Sequence, residues 1–169
     1  MIPGILVPTG NLGALTADQI VVQPIAAVDV AVGDLVKFDL ADTSTYTNLT
    51  ALNDPDNKTN PFNVVIKAVA GSSSTTEKGG IWAVVTQAAT AGQRCKVCVS
   101  GLVDAKISGT TTAGVTTMIA GAAILEPAPS TASVNSSAPI ALAMGTNASG
   151  AATIKVLICG FSLFGSGVA

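Results

Sequence analysis

The chain contains no histidine. It therefore lacks the side chain that most often serves as general base, as metal ligand, and as the partner that activates a serine or cysteine nucleophile. The next candidates for chemistry are the thiols of Cys95-Lys96-Val97-Cys98. A redox C-x-x-C pair belongs at a helix start, where the dipole lowers a thiol pKa. Here the surrounding residues alternate as a strand does, so positions i and i+3 point to opposite faces. A four-cysteine zinc site needs a second pair, and only Cys159 remains. These thiols are expected to be small buried side chains that bind no metal and form no mutual disulfide. The odd count also argues against a secreted disulfide framework.

The carboxylates offer no better constellation. Asp54-Pro55-Asp56-Asn57 resembles the start of a calcium loop, but Thr59 and Val65 stand where an EF-hand needs glycine and glutamate, so a solvated turn is expected. Glu77 and Glu126 have no acidic partner in a shared apolar run, which leaves a two-carboxylate hydrolase unsupported. Gly71 and Gly79-Gly80 bracket a Ser/Thr-rich tip, yet no G-K-[ST] follows to cradle a phosphate. The N-x-[ST] triplets at Asn48, Asn57, Asn135 and Asn147 are what so Ser/Thr-rich a chain produces by chance. Eight Lys and Arg lie singly among ten acids, so no basic patch is available for nucleic acid. No catalysis, cofactor or metal is expected.

The elements that would position these residues are strands. Period-two alternation runs through 20–40 by way of Val28, Val30, Val32, Leu35, Val36, Phe38 and Leu40, with Val32-Gly33-Asp34-Leu35 read as a turn between strands. Further strands are predicted at 63–69, 81–86, 94–100, 102–107, 115–125, 139–144 and 153–163. Within 81–85 one face carries Ile81, Ala83 and Val85 and the other Trp82 and Val84. A strand apolar on both faces is usually covered on both sides, which makes Trp82 a core residue rather than an interface anchor. Gly101 interrupts the run 94–107 and predicts a bulge or bend there. Polar loops are expected at 43–63, 71–80, 108–114, 126–138 and 146–151, and none shows a helical stripe. Only 12–19, with Thr16 as N-cap, suits a short helical turn.

The fold expected from this pattern is all-β: a compact antiparallel β-barrel or sandwich with long polar loops and an extended N-terminal arm. Residues 20–169 form the single β domain and residues 1–19 the arm. Ile2, Ile5, Leu6, Val7, Leu12 and Leu15 are apolar, but Pro3, Gly4, Pro8, Gly10 and Gly13 prevent a regular element of useful length. These six aliphatics are the expected docking residues, the alternative being that residues 1–19 form an extended edge strand packed on the domain itself.

Of the 169 residues 49% are apolar and only 11% charged, against about 25% charged in an average domain. A folded rather than a disordered chain is therefore expected, since disordered chains are rich in charge and poor in apolar residues. A net charge of −2 protects a free monomer poorly, which favours life inside an assembly. Residues 1–10 have no Lys or Arg ahead of their apolar residues, so a secretory signal is not expected. The most apolar windows, 118–125 and 154–164, fall short of the roughly 20 residues that span a bilayer. A soluble protein made in the cytoplasm is expected, with no membrane partner.

The order of these motifs also resembles a family. Gly33-Asp34-Leu35-Val36-Lys37-Phe38 is followed by Ile81-Trp82-Ala83-Val84-Val85-Thr86 and an Ala91-Gly92 turn. Then come Cys95-Lys96-Val97-Cys98-Val99-Ser100-Gly101-Leu102-Val103, Ala141-Leu142-Ala143 and Ile154-Lys155-Val156-Leu157-Ile158. This order is similar to that of the small decoration, or cement, proteins of tailed-bacteriophage capsids, over roughly residues 28–164. The resemblance implies a compact β-barrel-like fold and a homotrimer or similar cluster. It also implies a virion location on the outer surface of the shell, the major capsid protein as partner, no cofactor and no catalysis. The polar stretch 43–60 and the segment 115–138 depart from the family pattern. The alternatives are a head-fibre or tail-fibre base domain, a non-catalytic carbohydrate- or peptide-binding β module, and, behind these, an enzyme. The scarcity of aromatics (Trp82, Tyr46 and four Phe) counts against sugar binding.

Overall fold

A computed structural model describes residues 19–38, 64–67, 80–128, 139–159 and 161–162. These residues contain strands and no helix. In chain order the strands are β1 (Ile20–Val22), β2 (Ile25–Ala26), β3 (Leu35–Phe38), β4 (Val64–Lys67), β5 (Gly80–Gln87), β6 (Lys96–Ile107), β7 (Thr117–Ala120), β8 (Leu125–Pro127), β9 (Ala141–Ala143), β10 (Ala152–Cys159) and β11 (Phe161–Ser162).

Five of them close on themselves. Going round, β6 pairs β8, β8 pairs β7, β7 pairs β9, β9 pairs β10, and β10 returns to β6. The closing ladder is the longest, running in register from Ala152 opposite Ile107 to Cys159 opposite Ser100. The remaining strands are bonded outside the ring: β5, β3, β4 and β2 extend from β6, β1 also pairs β6, and β11 pairs β5. Pairing is antiparallel except between β2 and β4 and between β6 and β8. Of the barrel and the sandwich expected, the barrel forms, with one of its five pairings parallel rather than antiparallel.

A ring of five strands leaves little interior room. Ala105, Ala120, Ala141 and Ala143 supply small side chains there, between Val103, Ile107, Met118, Leu125, Val156 and Ile158. Leu35, Trp82, Val84 and Cys98 join the same cluster from β3, β5 and the first half of β6. A second cluster holds Ala26, Val30, Val36, Phe38, Ala83, Val85, Cys95, Val97 and Val99. The double apolar pattern of β5 has its cause here: Trp82 and Val84 serve one cluster, Ala83 and Val85 the other. Trp82, 3% exposed, is a core residue as expected, with the Lys37 ammonium 6.0 Å from its ring centroid.

β6 serves both clusters by changing parity. Val97 and Val99, at odd positions, lie in the second cluster and Cys98 in the first; beyond Gly101 the odd positions Val103, Ala105 and Ile107 lie in the first. A one-residue offset turns every later side chain to the other face. The offset is visible against β1, where Ile20 opposes Ser100 but Val21 opposes Cys98, leaving Val99 over. Gly101 then takes φ +116°, a conformation L side chains rarely adopt. The irregularity predicted at this glycine is present, but it lies within one continuous strand.

Several sequence-predicted strands are divided. The alternation through 20–40 gives only short pieces: Val30 is buried and bridges Ala89, while Val28 and Val32, of the same parity, are exposed. Val30 has a backbone partner on the β5–β6 hairpin, whereas Val32 already belongs to the turn before β3. The run 115–125 is not one strand but a turn followed by the β7–β8 hairpin, closed by the Gly121 N–H donating to the Ile124 carbonyl at 2.8 Å. The run 153–163 ends its first ladder at Cys159 and pairs a new neighbour, β5, from Phe161. The run of β8 through Glu126 and Pro127 also takes the first residues of the expected 126–138 loop into the barrel.

Candidate interaction surface

The thiols lie where strand alternation predicts. Cys95 sits in the second cluster, its Sγ 3.6 Å from the Pro24 carbonyl, and Cys98 sits in the first, its Sγ 3.2 Å from the Ser100 carbonyl. Burial raises both pKa values above the ordinary thiol value, so neither is poised as a thiolate. Among the described residues no group of three or more Cys, Asp or Glu is arranged to hold a metal ion. The Asp54–Asn57 stretch and Glu77 lie outside the described residues, as do Ile2, Ile5, Leu6, Val7, Leu12 and Leu15, the expected docking residues.

The 31–34 turn carries a charge into the interior. Asp34 is 4% exposed; its Oδ2 accepts the Ala31 N–H at 2.9 Å, and its Oδ1 lies 2.6 Å from the Lys106 Nζ. Gly33 takes φ +84°, and a Cβ there would stand 3.1 Å from Lys106 Cγ and 3.3 Å from its backbone nitrogen. Through this turn the Gly33 N–H donates to Val85, the Lys106 N–H to Gly33, and the Leu35 N–H to Ala123 at the β7–β8 corner. The ion pair thus ties β3 to β6 and to the barrel. Its geometry is that of a structural joint rather than of an acid–base pair.

Beside it opens a depression of about 190 Å³, lined by Gln19, Val32, Thr86, Leu102, Asp104 and Lys155. The Gln19 side-chain amide donates to the Leu102 carbonyl at its edge. The Lys155–Asp104 pair, 3.2 Å apart, has both side chains 59% exposed, and such pairs contribute little. Ile20 and Val32, 55% and 53% exposed, flank this side of the molecule.

A different surface is built where the loops 108–116 and 144–151 meet. Thr111, 1% exposed, exchanges backbone hydrogen bonds with Asn147 at 2.9 and 3.1 Å, and its hydroxyl donates to the Gly145 carbonyl at 3.0 Å. The Asn147 amide nitrogen is shared among the carbonyls of Gly109, Gly150 and Ser149 at 2.8, 3.0 and 3.2 Å. The Thr110 hydroxyl donates to Ala148, and the Thr146 hydroxyl accepts the Ala113 N–H. The two polar loops expected from the sequence are therefore one hydrogen-bonded unit. Neither loop contains a charged residue.

This tip presents apolar groups outward. Val115 is 71% exposed, the highest value among the large exposed aliphatics, and Met144 is 44% exposed. The Gly114 N–H donates to the Ala143 carbonyl, and the Ala143 N–H to the Thr116 carbonyl, so the two loops meet beside both residues. Sequence pattern placed Val115 in a strand and treated the Asn147 triplet as chance. The available signal was the lack of charge in two loops far apart in the chain. Among the described residues no helix is long and apolar enough to cross a membrane. No family model, curated protein or solved structure matches this chain.

Proposed function

We propose that this chain is a non-enzymatic virion structural protein. On this reading it is a decoration, or cement, subunit that binds the outer surface of a tailed-phage capsid and stabilises it. The observation that carries the proposal is the order of motifs in a small barrel and the strands bonded to it: a G-D-L-V turn into β3, an apolar β5–β6 hairpin with an Ala91-Gly92 turn, the Gly101-Leu102-Val103 return, and a late apolar strand that closes the ring. The low charge and the exposed aliphatics of the tip and of the β1 side add support, since both suit a protein that spends its life against neighbours. The partners are the major capsid protein and further copies of the chain, as a homotrimer, with no nucleic acid, membrane or cofactor. The protein is made in the host cytoplasm and resides on the capsid surface.

The test is copurification. Purified protein mixed with undecorated shells should cosediment with them and raise the temperature at which they release their contents. Removing residues 1–18 should weaken binding while leaving the melting temperature of the free subunit nearly unchanged. Protein that stays in the supernatant with shells of its own phage would end this reading.

A further inference from the structure

We propose that the uncharged tip formed by loops 108–116 and 144–151 is where copies of this chain meet one another, with Val115 and Met144 in the contact. The inference deepens the preceding one and rests on it only in taking the chain to self-associate.

The occupant follows from charge. Closed cyclic association brings each residue near a symmetry axis close to its own copies, so a charge placed there meets identical charges. Strands β3, β6 and β10 carry Lys37, Asp104, Lys106 and Lys155, and the β5–β6 hairpin end carries Arg94 and Lys96, with Asp29 accepting the Ala91 N–H there. The tip carries none across either loop. A different partner with charged groups would find nothing to pair with on it, whereas a second tip presents the same threonine, alanine and aliphatic surface. Rigidity adds to this. Thr111 and Asn147 lock the loops through the bonds described above, so little ordering remains to oppose association. Val115 and Met144 supply apolar area, and the Thr and Ser hydroxyls around them form a polar but neutral rim.

The experiment uses the full chain without shells. Analytical ultracentrifugation of the wild type should give a species of three times 16.6 kDa, or another closed multiple. Val115→Asp and Met144→Asp should each shift it toward 16.6 kDa, the double change completely, with circular dichroism unaltered because both side chains are exposed in the single subunit, and with a melting temperature that no longer rises with protein concentration. Val32→Asp, on the β1 side, should leave the assembly intact. As a check independent of destabilisation, Val115→Cys in a Cys159→Ser background should give covalent dimers under mild oxidation. A wild type that stays at 16.6 kDa at the highest concentration overturns the proposal, as does dissociation by Val32→Asp but not by the tip changes. Shell binding is scored separately: a protein that assembles through its tip yet ignores shells supports this inference and overturns the cement reading.

Discussion

Two turns of this molecule reach opposite solutions to the same problem of holding irregular backbone in place. The 31–34 turn sends its last side chain inward, and it satisfies its backbone with a carboxylate that is 4% exposed and answered by Lys106. The 108–116/144–151 tip lies outside, and it satisfies its backbone with neutral groups alone, Thr111 and Asn147 above all. A buried carboxylate fixes the geometry between distant strands only while its cation remains, because losing that partner is costly. Neutral side-chain to backbone bonds are weaker one by one, yet they leave a surface with no charge to repel a copy of itself. The first device suits a joint and the second a contact face.

That contrast can be broken experimentally, and the largest effect belongs to the joint. Lys106→Met should cost about 3 kcal/mol in urea denaturation, the low end for a buried pair because the lysine side chain is 40% exposed, since it takes the cation from the Asp34 carboxylate while leaving its Ala31 N–H contact. Adding Asp34→Asn to Lys106→Met should recover a large part of that loss by removing the carboxylate charge that has lost its cation. If the double variant is no better than the single one, the turn is held by something other than the ion pair.

At the tip the expected effect is smaller. Asn147→Ala removes the donor shared by three carbonyls and should cost about 1–3 kcal/mol, because parts of those carbonyls regain water on an exposed loop. Hydrogen exchange should speed up at the Thr111 and Asn147 amides and remain slow in β6 and β10. A uniform increase across the barrel would mean that the tip and the barrel unfold together and are not separate units.

The smallest effect concerns pH. Cys95 and Cys98 have folded-state pKa values raised by burial, so the unfolded chain releases these protons first as pH rises. Their contribution to stability is intact below the ordinary thiol value of 9.0 and declines as pH climbs beyond it. Denaturant midpoints should therefore fall above pH 9.0, and the fall should shrink in the Cys95→Ala, Cys98→Ala double variant. The joint and the tip are not thiol-dependent, so the same series leaves the contrast between them unchanged.

What the chain alone determined is local in origin. Alternation of side chains with period two requires no knowledge of which strands pair. The all-β class, the two covered faces of β5, the burial of Trp82 and the placement of the two thiols on opposite sides were therefore readable from 81–86 and 94–100. The turn at Gly33 and the irregularity at Gly101 were readable too, because glycine marks backbone that other residues rarely adopt. What the tertiary structure decided is pairing between residues far apart in sequence. Nothing local tells Val30 from Val28 and Val32; the partner Ala89 does, and it is contributed by the hairpin after β5. Nothing local divides 115–125 into a turn, β7 and β8, or sets loop 108–116 against loop 144–151, since those choices depend on closure of the ring through β10 and β6. Closure is a property of all five strands at once, and it brings together the two uncharged loops that leave Val115 and Met144 exposed.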